Sequence, residues 1–149
     1  MITITPFAAT DLHIAAAIWW QTGKLAYPYL PRFQALDRAT ALQVFTEHIA
    51  NHNDIWLARL DGEAVGFIAT QETYIDRLYV LPRMQGKGIG DALIEFAKRR
   101  QPSGLRLHTH QQNTSARHFY ERRGFKPVKF GISPAPENVP DVEYHWQPD

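Results

Sequence analysis

Three glycines and two cations lie close together between Arg83 and Gly90, and their spacing is typical of a phosphate-binding loop. The residues before this loop, Ile75 to Leu81, have the composition of a strand, and an amphipathic helix begins near Ile89. Glycines in such a loop let the backbone approach a ligand closely, and the free N–H groups at a helix start favour an anion. The segment therefore predicts a phosphate site.

Two common phosphate-binding motifs do not fit this loop. A P-loop requires Ser or Thr directly after its Lys, whereas Gly88 follows Lys87. The dinucleotide fingerprint Gly-x-Gly-x-x-Gly requires an acidic residue about 20 positions further on. This loop is Gly-x-Gly-x-Gly, and the segment from His108 to Gln112 contains no acid. Nucleoside triphosphatases and dinucleotide-dependent oxidoreductases are therefore disfavoured.

The loop instead resembles a signature of the GNAT superfamily of N-acetyltransferases, Gln/Arg-x-x-Gly-x-Gly/Ala, over residues 85–90. Two further segments resemble the family in its own order. The run from Leu78 to Pro82 is similar to the pantetheine-binding strand. The run from Asn113 to Phe125 is similar to the motif Asn-x-x-Ala-x-x-x-Tyr-x-x-x-Gly-Phe. The resemblance is specific over residues 75–130.

This resemblance implies a reaction and a set of acetyl-coenzyme A contacts. The family usually transfers acetyl directly to a primary amine of a small molecule, a peptide N-terminus or a lysine. The absence of Cys agrees with a route that has no acyl-enzyme. Backbone N–H groups of the fourth strand are expected to bond pantetheine and polarise the acetyl carbonyl. The expected cofactor-binding residues are Leu78, Tyr79, Val80, Gln85, Gly86, Lys87, Gly88, Ile89, Gly90, Asp91, Asn113 and Tyr120.

Tyr120 lies seven residues after Asn113, where the resemblance places the general acid. A phenol of unperturbed pKa about 10 can donate a proton to a thiolate whose conjugate acid has a pKa of about 8.5. The alternative is that Tyr120, next to Phe119, is only a core aromatic residue. Within the whole motif we expect Tyr120 to protonate the departing coenzyme A thiolate.

The base that accepts the amine proton is left open among three residues. His108 lies on the strand that leads to Asn113, and an unperturbed imidazole of pKa about 6.5 suits proton acceptance near neutrality. Asp76 is two residues before Leu78 and so shares its strand face, and Glu72 is a third candidate. Each has a structural alternative, such as a half-buried histidine or a strand-edge carboxylate paired with an arginine. A water chain is a further possibility.

The acceptor is expected to meet loop aromatics and acidic groups. The resemblance places it near the first two helices and the last hairpin, where Tyr27 and Tyr29 are candidate contacts together with Glu72. Residues 77–126 contain 11 Lys or Arg against 3 Asp or Glu, and the rest of the chain contains 5 against 12. The basic part coincides with the predicted coenzyme A segment, and the acidic remainder would favour a cationic amine.

Other classes of function receive less support. His48 and His52 lie four apart on a predicted helix, but no Cys or facing acid completes a zinc site, so we expect no metal. The basic run from Lys98 to Arg100 is typical of a solvated helix end, and we expect no nucleic acid. A coenzyme A-binding sensor or interaction domain without turnover is the main alternative. A homodimer is common in the family.

The elements that must position these residues follow from hydrophobic periodicity and turn residues. Strands alternate with helices in the order β-α-α-β-β-β-α-β-α-β-β, with a hairpin at Asp61-Gly62 and a helix cap at Asn113. This order predicts an α/β (α+β) GNAT fold, a mixed and mostly antiparallel sheet of about six or seven strands flanked by about four helices. The resemblance implies that the fourth and fifth strands splay apart.

Length and composition agree with one domain over residues 1–149. A chain of this size buries roughly two thirds of its unfolded surface, so it needs no disulfide or metal to fold. The absence of Cys is compatible with a reducing compartment, and no stretch approaches the length of a membrane span. The N-terminus lacks the pattern of a signal peptide, so we expect a cytoplasmic protein that does not contact a membrane.

Overall fold

Seven strands form one mixed sheet in the order β1-β2-β3-β4-β5-β7-β6 in the computed structural model, which describes residues 1–149. All neighbouring strands are antiparallel except β4 and β5, as predicted. The strands are β1 (Ile2–Pro6), β2 (Asp54–Leu60), β3 (Glu63–Gln71), β4 (Tyr74–Val80), β5 (Leu105–His110), β6 (Lys126–Ile132) and β7 (Pro140–Trp146).

Helices cover both faces of the sheet. They are α1 (Leu12–Ala26), α2 (Pro31–Gln34), α3 (Arg38–His48), α4 (Ile89–Arg100) and α5 (Thr114–Arg122), with short 3-10 turns at Ala9–Asp11, Ala50–His52 and Pro82–Met84. On one face α1 and α3 pack on the sheet around Phe45 and Phe67, which are fully buried. On the other face α4 and α5 pack around Leu93, Leu107 and Phe125. Two hydrophobic cores therefore hold the sheet between two helical layers.

Local sequence explains several element boundaries. Asp61 and Gly62 both have positive φ, 52° and 88°, which a tight two-residue hairpin turn requires. The Asp37 carboxylate accepts a hydrogen bond from the Thr40 backbone at 2.8 Å and so caps α3. Asn113 caps α5 in the same way, as predicted.

Two boundaries differ from the sequence-based expectation. Gly23 favours an end of α1 at that position, but the helix continues to Ala26. Gly23 lies against the Phe33 ring, where a Cβ would come within 2.2 Å. Gly23 thus makes a close contact inside the helix and does not terminate it. The alternation of residues 105–108 favours an end of β5 at His108, but the strand extends to His110, since it continues to pair with β7 up to Asp141.

Strands β4 and β5 contact each other only at their start. Two register pairs join them, Tyr74 with Arg106 and Ile75 with Leu107. Beyond these pairs the strands diverge, and a cleft opens between them, which confirms the predicted splay. Because β4 and β5 are central, the cleft divides the sheet into a four-strand part and a three-strand part. None of the helices combines the length and hydrophobicity needed to cross a membrane.

Candidate active site

The glycine loop forms an open cradle at the start of α4. Gly86 and Gly88 have φ of 81° and 83°, and Gly88 is the N-cap of the helix without any side-chain cap. A Cβ added to either glycine would meet no atom within 4 Å, so the space in front of this backbone is open. The N–H groups of the first helical turn have no intrahelical acceptor. The cradle therefore fits the phosphate groups that the sequence predicts there.

Gly90 serves a different purpose from the other two glycines. A Cβ at this position would lie 2.7 Å from the ring of Phe119 in α5. The glycine thus allows α4 and α5 to approach each other closely. Phe119 also stacks under the guanidinium of Arg123, 3.7 Å from its ring centre, and Arg123 pairs with Asp91. Asp91, one of the expected cofactor contacts, is therefore already bound to a cation of this chain.

The other polar residues of the loop have distinct roles. The Gln85 amide donates a hydrogen bond to the Val80 carbonyl at 3.0 Å and so attaches the loop to the end of β4. Arg83 was expected to add positive charge to the phosphate site, but it forms an ion pair of 2.7 Å with exposed Glu63. Lys87 remains exposed in the loop. Lys87 is thus the loop cation that is free to face a phosphate.

A bulge in β4 lies beside the cleft. Ala69 pairs with Arg77 and Thr70 with Ile75, which leaves Asp76 without a partner on β3. Further along, the Leu81 N–H donates to the Val65 carbonyl at 2.9 Å. Because bonded positions alternate along an antiparallel pair, the backbone groups of Leu78 and Val80 face away from β3. They point toward the gap between β4 and β5, where the family resemblance implies that pantetheine binds.

Tyr120 lies on α5 at the inner side of the cleft. The side chain is buried, with 8% exposed, and its ring packs against Phe119 and Phe125. Burial, with smaller contributions from Tyr79 and Tyr74, raises the pKa of its hydroxyl well above the ordinary value. The phenol therefore stays protonated and able to donate throughout the neutral range.

The opposite end of the cleft contains a cluster of aromatic and titratable groups, which we call the acceptor cluster: Tyr27, Tyr29, Tyr79, His110 and Glu137. The Tyr27 and Tyr79 hydroxyls are 2.6 Å apart, and the Tyr29 hydroxyl lies 2.7 Å from Nδ1 of His110. Nε2 of His110 lies 3.0 Å from the Glu137 carboxylate. Burial, followed by the influence of Tyr79, raises the pKa of Tyr27. Four separate segments of the chain thus meet here in two adjacent hydrogen-bonded groups.

Arg77 lies beside this cluster and makes no hydrogen bond through its side chain. Its Nε is buried without a partner and is 3.7 Å from the Asp76 carboxylate. Two neighbours lower the pKa of the Glu137 carboxyl. The hydrogen bond from His110 has the larger effect, and the positive charge of Arg77 adds to it. Arg77 therefore places a positive charge at the acceptor end of the cleft.

The three candidate bases lie in different surroundings. His108 lines the cleft, but Nδ1 bonds the Tyr74 hydroxyl at 2.9 Å and Nε2 is 3.6 Å from Glu143. Asp76 also lines the cleft and accepts a hydrogen bond from Asn53 at 2.9 Å. Glu72 lies exposed in the turn between β3 and β4 and does not line the cleft. The structure therefore does not bring Glu72 together with the other candidate residues, and its role as a base or acceptor contact stays a prediction.

Sequence reasoning missed His110 and Glu137. Local patterns do not single them out: His110 shares a strand face with His108, and Glu137 is one of the acids outside residues 77–126. The available signal was the position of His110 three residues before the Asn113 cap, which places it at the end of β5. Its partners lie 81 and 27 residues away along the chain, so no local pattern could have joined them.

One continuous cleft of about 1960 Å³ joins the glycine loop, Tyr120 and the acceptor cluster. Asn113 also lines it, although its side-chain oxygen is used to cap α5. No group of three or more His, Asp or Glu side chains is arranged to hold a metal ion. The cleft can hold a long ligand with phosphates at one end and a reacting group at the other. The residues around that reacting end supply both a proton donor and proton acceptors.

The basic helix end is engaged within the chain. The Lys98 ammonium donates to the Arg123 carbonyl at 2.8 Å and lies 4.8 Å from the centre of the Trp146 ring. Arg100 lies over the Trp56 ring at 4.4 Å. These contacts give two of the three cations a role in packing.

Comparison with known proteins identifies the family. Residues 51–127, just over half of the chain, match the family model of the acetyltransferase (GNAT) domain. YiaC of Escherichia coli, a peptidyl-lysine N-acetyltransferase, is 33% identical over 80% of this chain and 80% of its own length. YjaB of Salmonella typhimurium, also a peptidyl-lysine N-acetyltransferase, is 40% identical over 48% of this chain. That match covers half of the length of YjaB.

A solved structure shows the same fold over almost the whole chain. The apo form of YjaB from Escherichia coli has a TM-score of 0.82 and 21% identity, and the match covers 98% of this chain and 97% of YjaB. The matched domain includes the glycine loop, β4 and α5, which are the elements that build the cleft. The chain belongs to the GNAT family of acetyl-coenzyme A-dependent N-acetyltransferases.

Proposed function

We propose that this protein transfers the acetyl group of acetyl-coenzyme A to the side-chain amine of lysine in peptides or proteins. The observation that carries this proposal is the continuous cleft between β4 and β5. It has an anion-binding helix start at one end and the acceptor cluster at the other. The two relatives named above as peptidyl-lysine N-acetyltransferases support lysine as the acceptor.

The cradle at the start of α4 would hold the pyrophosphate of the cosubstrate. Its open backbone at Gly86 and Gly88 and the free N–H groups of the first turn supply the hydrogen bonds. The cosubstrate supplies an activated thioester carbonyl. The outward-facing N–H groups of Leu78 and Val80 are the donors available to bond pantetheine and to stabilise negative charge on that carbonyl oxygen.

Tyr120 would donate its proton to the departing thiolate. Tyr120 lines the cleft, and the raised pKa of its hydroxyl keeps it protonated at the pH of the reaction. A buried phenol that loses its proton to sulfur recovers one from solvent after the product leaves. This makes Tyr120 the general acid of the proposed reaction.

The acceptor end suits the two parts of a lysine side chain. Tyr27 and Tyr29 present aromatic faces, which can pack against the aliphatic stem. Carboxylates at Asp76, Glu137 and Asp141 line the same end and attract an ammonium group. Because the loops between α1 and α2 and between β6 and β7 form the walls, the mouth can admit a side chain projecting from an extended peptide.

The test is release of free thiol from acetyl-coenzyme A in the presence of matched acceptors. We expect turnover with an N-terminally blocked peptide containing one lysine, and none with the same peptide carrying arginine in its place. Mass spectrometry should locate the acetyl group on the lysine nitrogen. Turnover only with a free N-terminus or with small polyamines would refute the lysine assignment. Tight acetyl-coenzyme A binding in calorimetry without thiol release across all acceptors would favour the sensor alternative.

A further inference from the structure

His110 lies at the end of β5 with both ring nitrogens in hydrogen bonds. Nδ1 is 2.7 Å from the Tyr29 hydroxyl and Nε2 is 3.0 Å from the Glu137 carboxylate. The imidazole is 13% exposed, so the ring is held in place by its neighbours. Tyr29 comes from the loop between α1 and α2, and Glu137 from the loop between β6 and β7. Two loops and a strand end therefore form one chain of hydrogen bonds along the cleft wall.

The direction of each hydrogen bond follows from the chemistry of its partners. The hydrogen bond from His110 lowers the pKa of the Glu137 carboxyl, so this group is an anion that can only accept. Nε2 must then carry the hydrogen, and Nδ1 of the neutral ring is an acceptor. Burial, followed by the charges of Glu137 and Tyr79, raises the pKa of Tyr29, so its hydroxyl keeps its proton and donates it to Nδ1.

We propose that Tyr29, His110 and Glu137 form a proton relay that removes a proton from the acceptor amine. The proposal rests on the acetyltransferase function above and names the base that the sequence left open. Tyr29 is the member that touches the amine. Its oxygen accepts a proton from the ammonium nitrogen while its own proton passes to Nδ1 of His110. Glu137 is a positioning residue, which fixes the tautomer and stabilises the resulting imidazolium, as the acid does in a Ser-His-Asp triad.

The protons and bonds of this reaction balance. An ammonium acceptor gives its first proton through Tyr29 to His110, which releases it to solvent. The neutral amine then attacks the acetyl carbon, so that a C–N bond forms and the C–S bond breaks. Tyr120 gives its proton to the sulfur, and the second proton lost from nitrogen replaces it through solvent. The net products are the acetamide, coenzyme A thiol and one proton.

His110 is better placed for this role than the other candidates. The Asp76 carboxylate is held by Asn53 and lies beside Arg77. His108 is more exposed, at 39%, and bonds the Tyr74 hydroxyl rather than a hydroxyl of the acceptor cluster. Both positively and negatively charged side chains surround the relay. The titratable and charged side chains around His110 are Tyr27, Tyr29, Arg77, Tyr79, Glu137 and Asp141.

The first test is the pH profile of kcat with a saturating lysine peptide. We expect the wild-type profile to rise with pH through one titration and then level off. In His110→Gln, kcat should fall about 100-fold and continue to rise with pH without that plateau, because solvent must now accept the proton. Tyr29→Phe should also lower kcat. Glu137→Gln should lower kcat less than His110→Gln does, and nitrogen-15 NMR should show that His110 loses its preference for hydrogen on Nε2, because the carboxylate that fixes this tautomer is gone.

Matched measurements separate this role from a structural one. His145 also bonds a carboxylate, Glu143, at 2.6 Å but does not line the cleft, so His145→Gln should keep the wild-type profile. Acetyl-coenzyme A affinity, measured by calorimetry, should be unchanged in His110→Gln and confirms that the variant is folded. Nitrogen-15 NMR of the free protein should show His110 with hydrogen on Nε2 and an accepting Nδ1.

Distinct results would overturn the relay and the acetyltransferase function. A wild-type profile in His110→Gln, loss of the limb in His108→Gln instead, or a ring with hydrogen on Nδ1 would refute the relay and leave the function intact. Absence of thiol release by the wild-type protein with every amine would refute the function, and the relay with it.

Discussion

Tyr120 is placed so that its burial serves its chemistry. A phenol in a polar setting would begin to ionise near its unperturbed pKa of about 10. Burial against Phe119 and Phe125 disfavours the phenolate and raises the pKa of Tyr120 further. In the proposed reaction, the phenol would therefore hold a proton available to the sulfur over the whole physiological range.

Replacing Tyr120 with Phe removes this proton donor. We expect kcat to fall about 100-fold or more with little change in acetyl-coenzyme A affinity, since a general acid typically contributes 10²- to 10⁴-fold. In the wild-type enzyme kcat should not decline on the alkaline side below about pH 10. Steady-state kinetics and calorimetry provide the measurements.

The matched control is Tyr144→Phe. The ring of Tyr144 contacts that of Tyr120, but its hydroxyl bonds Glu121 at 2.5 Å and Arg117 at 3.0 Å, and the residue does not line the cleft. This variant should lower thermal stability and leave kcat within about twofold of wild type. Equal loss of kcat in both variants would assign Tyr120 a packing role only.

The Glu137 carboxyl predicts a pH dependence of stability. The folded state lowers its pKa through the hydrogen bond to His110, so its contribution is present above the unfolded pKa and is lost as pH falls through the folded pKa. Denaturation by urea between pH 6 and 3 should therefore show a shallower fall in the free energy of unfolding for Glu137→Gln than for wild type. Parallel curves for the two proteins would contradict this prediction.

The helices α4 and α5 depend on one close contact. In Gly90→Ala the new Cβ would lie 2.7 Å from the Phe119 ring, so either that ring or α5 itself would have to shift. We expect a loss of about 1–3 kcal/mol in stability, as for other overpacked sites, and weaker acetyl-coenzyme A binding because the cradle moves with α4. Chemical denaturation and calorimetry test both effects.

Two other glycines serve as controls for this contact. At Gly131 the nearest atom to an added Cβ is 3.5 Å away, so Gly131→Ala should be nearly neutral. Gly86 has open space but a positive φ of 81°, so Gly86→Ala should cost stability through backbone strain without moving α5. If Gly90→Ala is as mild as Gly131→Ala, the contact with Phe119 does not limit the approach of the helices.

Local patterns predicted most elements because each carries its own boundary residues. The Asp61-Gly62 turn, the Asn113 cap and the glycine loop lie within a few residues of what they define. Features set by distant contacts were not predictable. The need for a glycine at position 23 depends on the Phe33 ring packed against it, and the bulge at Asp76 depends on how β4 aligns with β3.

The residues of the candidate active site also divide into those set by local motifs and those set by distant contacts. The cradle and Tyr120 belong to continuous motifs, so the sequence could place them. His110 meets Tyr29 and Glu137 only because three distant segments converge at the end of β5. Arg83 is adjacent to the glycine loop in sequence, but its side chain forms an ion pair with Glu63 at the surface. Spacing along the chain cannot specify which way such a side chain turns.

At the scale of the whole molecule the two ends of the cleft differ in their balance of charge, although Arg77 lies at the acceptor end and Asp91 at the start of α4. The basic segment contributes the start of α4 and Arg122, and the acidic remainder contributes Glu137 and Asp141. Opposite charges at the two ends would orient a cosubstrate with an anionic head before it docks. The net charge of +1 gives no sign of this polarity, because the basic and acidic parts of the chain nearly cancel.

This polarity predicts that acetyl-coenzyme A binding weakens with salt. Raising sodium chloride from 50 to 500 mM should increase Kd about tenfold, because exposed charges are screened over about 4 Å at the higher concentration. Lys87→Gln and Arg122→Gln should each raise Kd at low salt. Arg99→Gln removes the same charge near the other end of α4 and should not. Equal effects of all three variants would point to net charge rather than to its location.

Only two register pairs join β4 and β5, and this limited pairing links the stability of the protein to ligand binding. With so little pairing across the centre of the sheet, a pantetheine chain bonded to Leu78 and Val80 would act as the missing strand between its two parts. Binding at 100 times Kd would stabilise the fold by about 2.7 kcal/mol. Heating the protein with acetyl-coenzyme A should raise Tm, and amide exchange in β5 should slow. The lifetime of such an enzyme would then follow the supply of its own acetyl donor.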